Sequence, residues 1–236
     1  MLRADSLLRL LGTFELACEG APVRLPMSAQ RVIAFVALHE HPLQRAYVAG
    51  SLWLETSDAR AQANLRSALW RLHRPGHRLI ESSDDRLRLG EEVRVDLREA
   101  EAVARRAIGD GSELDIDVAA LAGDLLPDWY EDWALLERER FRQLRLRALE
   151  AICERLMRAG RFDDALDTAH VAVAGEPLRE SAHRVLVRIH LAEGNTGEAI
   201  RQYELFRRLL REQLGIEPSA RMHELMHGIL VADSAR

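Results

Sequence analysis

Lysine is absent from this chain, and all 33 of its basic residues are arginine. No G-x-x-x-x-G-K-[ST] loop occurs, so nucleotide hydrolysis is not expected. There are 2 cysteines, Cys18 and Cys153, far apart in a chain without an export signal. They read as buried free thiols in a reducing compartment rather than as a disulfide. No apolar run is long enough to span a membrane, and Met1 to Leu11 is too short and interrupted for a secretory signal. The expected location is the cytoplasm, in association with the nucleoid. No Ser-His-Asp set, paired carboxylates or reactive cysteine stands out, so the chain is not read as an enzyme. His223 and His227 are spaced for a metal on one helix face but lack a third ligand, and Pro75-Gly76 separates His73 from His77. Neither a metal nor a cofactor is expected. What the chain does have is 47% hydrophobic and 30% charged residues over 236 positions, enough for a large domain or two small ones.

Its charge is uneven. Residues 1–98 carry 14 arginines against 12 carboxylates, whereas residues 99–236 carry 19 against 26. Only the first part offers an anion-binding surface, and the asymmetry argues for two domains, 1–98 and 99–236. The basic run is concentrated in Asp58 to Arg74. There Ala61, Leu65, Ala68, Leu69 and Leu72 recur at the spacing of a core-facing helical stripe. Arg60, Asn64, Ser67, Arg71 and Arg74 form a second row about a third of a turn away. These are donors of the kind that reach base edges and phosphates. No acidic residue occurs between Asp58 and Glu81.

The surrounding elements give that helix a setting. Leu7 to Leu25 reads as short strands turned at Glu19-Gly20, and Pro26 stops the last one. Ser28 is expected to cap a helix over Ala29 to His39, which Pro42 ends. Tyr47 to Leu54 reads as a second helix. Ser57 or Asp58 caps the third, and Pro75-Gly76 ends it. Leu79 to Ser82 and Arg86 to Leu89 read as a hairpin around Ser83-Asp84-Asp85. Strands, three helices and a hairpin follow the order of a winged helix-turn-helix, in which the third helix enters the major groove and the wing lies along the backbone. Arg60, Asn64, Ser67 and Arg71 are therefore candidate base readers. Arg74 and Arg78 are placed for phosphates, with Arg86 in the wing and Arg31 and Arg45 near the first two helix starts as further backbone candidates.

The stretches LLGTFEL, SAQRVIAFVALH and LWLETSDARAQANLRSALWRLHR resemble the DNA-binding domain of the actinobacterial antibiotic regulatory protein (SARP) family, itself similar to the OmpR-type winged helix. Many members carry a Gly-Tyr pair before the last strand, where this chain has Asp84-Asp85-Arg86. Two carboxylates at the wing tip count against close wing contact with phosphates, though not against the fold.

Further on, Val93 to Leu97 closes the first part, and Asp96 opens a helix to about Ile108. Gly109 to Ser112 reads as a flexible break, Ile116 to Leu121 as a short helix and Trp129 to Met157 as a long amphipathic one. Trp129, Tyr130 and Trp133 are expected to anchor that helix to the core. Gly160 and Gly194 are 34 residues apart, as are Ala165 and Ala199. That is the period of tetratricopeptide repeats, in which glycine permits the turn and alanine lets paired helices approach. GDLLPDWYEDWALLERERFRQLRLRALE and LGIEPSARMHEL are similar to the bacterial transcriptional activator domain that follows the winged helix in the same family.

The expected fold class is thus mainly α with a small β component, a winged helix followed by tetratricopeptide-like helix pairs. The resemblance implies a transcriptional activator that binds direct repeats in promoter DNA as a homodimer or side-by-side protomers and recruits RNA polymerase for a secondary-metabolite gene cluster. It also implies that the loop Trp53, Leu54, Glu55, Thr56 and Ser57 faces the polymerase. The alternative is a helical-repeat scaffold or ligand sensor whose winged helix does not bind DNA.

Overall fold

The computed structural model describes residues 6–74, 77–109 and 114–233, with side chains up to residue 227. Pro75-Gly76 and most of the expected break at Gly109 to Ser112 lie outside the described residues. The chain divides into two compact units, residues 1–100 with 123–142, and residues 101–122 with 143–236. The first is a winged helix and the second a set of helix pairs, the fold class expected from the sequence.

In the first unit β1 (Ser6–Arg9), β2 (Glu15–Cys18) and β3 (Ala21–Pro22) form an antiparallel meander. Then come α1 (Met27–Ala37), β4 (Leu43–Gln44), α2 (Arg45–Leu52) and α3 (Asp58–Leu72). The hairpin of β5 (Ile80–Ser83) and β6 (Arg86–Leu89) follows, and β7 (Val93–Val95) returns parallel to β1. The result is one sheet in the order β3-β2-β1-β7 and a second in the order β4-β6-β5. α1 buries Ala29 and every residue from Val32 to Ala37, so it is the hub on which the other helices pack.

Two local expectations need correction. Ser28 does not cap α1. The helix starts at Met27, and the carbonyl of Pro26 accepts from the Ala29 and Gln30 N–H groups at 2.9 and 3.1 Å. Proline holds the extended entry geometry by itself, without a side-chain cap. α2 starts at Arg45 and ends at Leu52, two residues earlier at both ends than its apolar pattern suggested. The cause is β4, which pairs Leu43 with Leu87 and Gln44 with Arg86. That pairing brings the Arg45 N–H to the Asp85 carbonyl at 2.7 Å, and the helix begins there.

Residues 123–142, which a boundary at residue 98 had left with the helical part, fold with the first unit. The Gly12 N–H donates to the Asp124 carbonyl and the Leu126 N–H to the Leu10 carbonyl, at 2.7 and 2.9 Å. Leu125 and Leu126 are fully buried. Trp129 stacks on Phe14 with ring centroids 5.9 Å apart, and Trp133 meets Phe35 edge-on at 5.3 Å. The Arg138 guanidinium donates to the carbonyls of Leu125, Leu126 and Trp129. Tyr130 is the exception in the aromatic cluster, 79% exposed.

α4 (Asp96–Ile108) starts on Asp96, whose carboxylate accepts from the N–H groups of Leu10, Leu11 and Leu97. Burial pushes that carboxyl above its ordinary range, against the three hydrogen bonds that favour the ionised form.

In the second unit, residues from Gln143 of α5 (Asp132–Arg158) lead into α6 (Phe162–Gly175), α7 (Glu180–Ala192), α8 (Thr196–Leu214) and α9 (Ala220–Asp233). The repeat read in the sequence is physical: α6 and α8 begin two residues after Gly160 and Gly194, which adopt φ of +74° and +82°. Such left-handed values suit glycine. Ala165 and Ala199 are fully buried. His183 is also fully buried and stacks on Phe206 at 4.2 Å. Its Nε2 lies 2.8 Å from the Pro177 carbonyl and its Nδ1 2.7 Å from Gln202 Nε2, so a neutral ring satisfies both contacts. The Cys153 thiol is buried as well, and loss of hydration raises its pKa to about 12.

Candidate nucleic-acid interface

α3 is held from below. Ala61, Leu65, Ala68 and Leu72 are buried against α1 and α2, and two of these four are alanines, which lets the helices approach closely. With 3.6 residues per turn, the opposite face must carry Ala59, Ala63, Arg66, Ser67 and Trp70, and all five are exposed. Arg60 and Arg71 flank this face and are exposed, while Asn64 is half-buried. The polar row read from the sequence therefore lies along one edge of the outer face. Arg66 and Trp70, near its centre, were missed. Their signal was angular: each lies about half a turn from the apolar stripe.

Arg60, Arg66 and Arg71 have no hydrogen-bond or ion-pair partner among the described residues, so three exposed guanidinium groups stand open on one helix. The other candidates are placed differently. Arg74, half-buried past the helix end, donates to the His73 carbonyl at 3.1 Å. Arg78 is exposed just before the hairpin. Arg86 in β6 is exposed and reaches the Pro42 carbonyl at 3.5 Å. Arg45 donates to Ser82 Oγ at 3.1 Å and ties the start of α2 to the hairpin. Arg31 is turned into the fold, its Nε 2.9 Å from Glu131 Oε1 and its Nη2 donating to the Leu52 carbonyl at 2.7 Å. It is a link between α1, the end of α2 and the segment before α5, away from the open cations.

The hairpin is geometrically tight. The Gly90 N–H donates to the Leu79 carbonyl at 3.0 Å. A Cβ on Gly90 would lie 1.7 Å from the Arg78 carbonyl oxygen, so glycine alone closes the base of the wing. At the tip Asp84 takes a φ of +53°, and both Asp84 and Asp85 are exposed. Arg88 is paired with Glu81 (Nε–Oε2 2.8 Å) and Glu91 (3.2 Å), and these carboxylates hold its pKa above the ordinary value. The wing thus presents little net positive charge, and the positive face of this unit is α3. In the loop before α3, Leu54 is 79% exposed, Glu55 and Ser57 are exposed, and Trp53 and Thr56 are half-buried. The Thr56 hydroxyl donates to the Trp53 carbonyl at 3.0 Å and keeps the loop compact.

A three-helix core closed by a hairpin, with the outer face of its third helix exposed and carrying arginines, defines a winged-helix domain. The family model described as the bacterial transcriptional activator domain matches residues 95–230. The regulatory protein AfsR of Streptomyces coelicolor is 29% identical over 197 residues, covering 78% of this chain and 20% of that protein. The regulatory protein DnrI of Streptomyces peucetius is 34% identical over 113 residues, covering 47% of this chain and 41% of that protein. Among solved structures, Mycobacterium tuberculosis EmbR in complex with a low affinity phosphopeptide matches 98% of this chain and 65% of that chain. Its TM-score is 0.69 at 20% identity, a likeness of fold. The chain belongs to the bacterial transcriptional activator domain family, as a regulator of the SARP type. It spans between a fifth and two fifths of the curated relatives named here. Those relatives are regulatory proteins, and no helix among the described residues is long and apolar enough to cross a membrane.

Proposed function

We propose that this activator binds promoter DNA through α3 and recruits RNA polymerase, with the first unit reading DNA and the helix pairs supplying protein contacts. The observation that carries this reading is the outer face of α3, where Arg60, Arg66 and Arg71 stand open and no carboxylate lies between Asp58 and Glu81. Arginine is suited to bidentate contact with guanine O6 and N7 and to phosphate oxygens. Arg60, Ser67 and Arg71, with Asn64 at the edge, read bases. Arg74 and Arg78 contact phosphates, and Arg45 and Arg86 line the approach of the adjacent backbone. Protomers sit side by side on direct repeats, and the exposed Leu54 and Glu55 face the polymerase. By resemblance to the SARP family, the regulated genes form a secondary-metabolite cluster. The protein then works on the nucleoid, in the cytoplasm.

Footprinting of the full chain on its own upstream region, combined with in vitro transcription, tests this. Two adjacent protected segments in one orientation are expected, with transcription rising when polymerase is added. Leu54→Ala with Glu55→Ala should abolish the rise and leave the footprint intact. A footprint without activation would refute the polymerase contact. No footprint on any upstream region would favour a helical-repeat scaffold.

A further inference from the structure

Trp70 is 76% exposed on the outermost line of α3, and it makes no ring stacking contact among the described residues. An indole left in water forgoes burial of one of the largest apolar surfaces a side chain has. Its neighbours on the same face are Ser67 on the preceding turn and Ala63 one turn further back, with Arg66 and Arg71 on either side. The small residues leave the ring standing above the helix surface, and the arginines surround it with positive charge. A protein partner that covered this ring would also have to neutralise Arg66 and Arg71, which nothing on this face of α3 does. A DNA groove does so directly, since both walls are phosphate.

We propose that Trp70 is a base-reading residue, its indole packing on the C5-methyl group of a thymine in the major groove. The inference rests on the DNA reading above. The chemistry is selective: the thymine methyl is the apolar protrusion of that groove, whereas the other bases present donors and acceptors there. The indole has a single N–H donor and no acceptor, so its flat apolar face is what it can offer. Trp70 thus adds a fixed thymine to a site otherwise read by arginine, asparagine and serine.

The test uses the full 236-residue chain and the tightest duplex it selects from a random-sequence library. Each thymine is replaced in turn by deoxyuridine, which removes the methyl group and nothing else. One position in each half-site should weaken binding about fourfold, the value of one buried methyl-sized group. Trp70→Ala should lower affinity on the order of tenfold and abolish the response at that position alone. Trp70→Phe should retain part of it. Trp70→Ala with unchanged affinity overturns the inference while leaving DNA binding in place. An equal loss on every deoxyuridine duplex, with the single-position response retained, also overturns it, because the ring would then rest on sugar or backbone. Failure of the wild-type chain to enrich any duplex overturns the DNA reading and this inference together.

Discussion

Replacing Trp129 by alanine should cost the first unit much of its stability. Trp129 is 6% exposed, stacked on Phe14 at 5.9 Å and edge-on to Trp133 at 5.8 Å. An indole of this kind buries about 150–250 Å², worth roughly 4–6 kcal/mol at about 25 cal/mol per Å². Some relaxation of the cavity brings this to about 4 kcal/mol, within the usual range for a large aromatic cut to alanine. A domain is stable by about 5–15 kcal/mol, so the loss is a large share of the whole. The assay is urea unfolding followed by tryptophan fluorescence. Trp53, Trp70, Trp129 and Trp133 all lie in the first unit, so the signal reports that unit alone. With a slope of about 2 kcal/mol per molar urea, the midpoint should fall by about 2 M. Tyr130→Ala, at a 79% exposed position, is the control and should leave the midpoint almost unmoved. A shift under about 0.5 M for Trp129→Ala would refute the claim that residues 123–142 complete the first unit's core.

Arg71→Ala should weaken binding to the cognate site by about 1–3 kcal/mol and relax preference at one base pair, whereas Arg74→Ala should weaken all duplexes alike; both are read by competition titration. Gly90→Ala should destabilise the hairpin by about 3 kcal/mol, because the new Cβ meets the Arg78 carbonyl rather than a side chain that can turn away, and hydrogen exchange at Ile80 to Leu89 would show it. His183 should titrate below 6.5, since burial disfavours its charged form more than the Pro177 carbonyl favours it. The unfolded chain then takes up the proton first, and the second unit loses stability as pH falls below about 6.5, with none lost above it. An imidazole titration by NMR with His183 at or above 6.5 would contradict that contact pattern.

Much of this fold was legible because its determinants are local. The stripe of Ala61, Leu65, Ala68 and Leu72 has a helical period, and the hairpin around Asp84-Asp85 has turn residues between alternating strands. Gly160 and Gly194 repeat at the spacing their left-handed turns impose. What was hidden depends on partners distant in sequence. β4 is only Leu43 and Gln44, and it exists because β6 is there to pair with it. The return of residues 123–142 rests on Leu10, Gly12 and Phe14, which carry no local sign of it. Arg31 looks like any helix-surface arginine until Glu131 is brought beside it. On α3, grouping residues by polarity picks out one edge of the outer face. Their angle from the buried stripe places Arg66 and Trp70 nearer the centre.

Sequence-specific binding of promoter DNA through α3 is the proposal on which activation depends. Titration of the purified chain against its own upstream promoter and a scrambled duplex, across a salt series, tests it most directly. Preference for the promoter is expected, with an affinity falling with salt at a log–log slope steeper than about −2. The slope should become shallower by about 1 when Arg78 is replaced by alanine. Equal, weak binding to both duplexes with no effect of Arg60, Arg66 or Arg71 substitutions would contradict it.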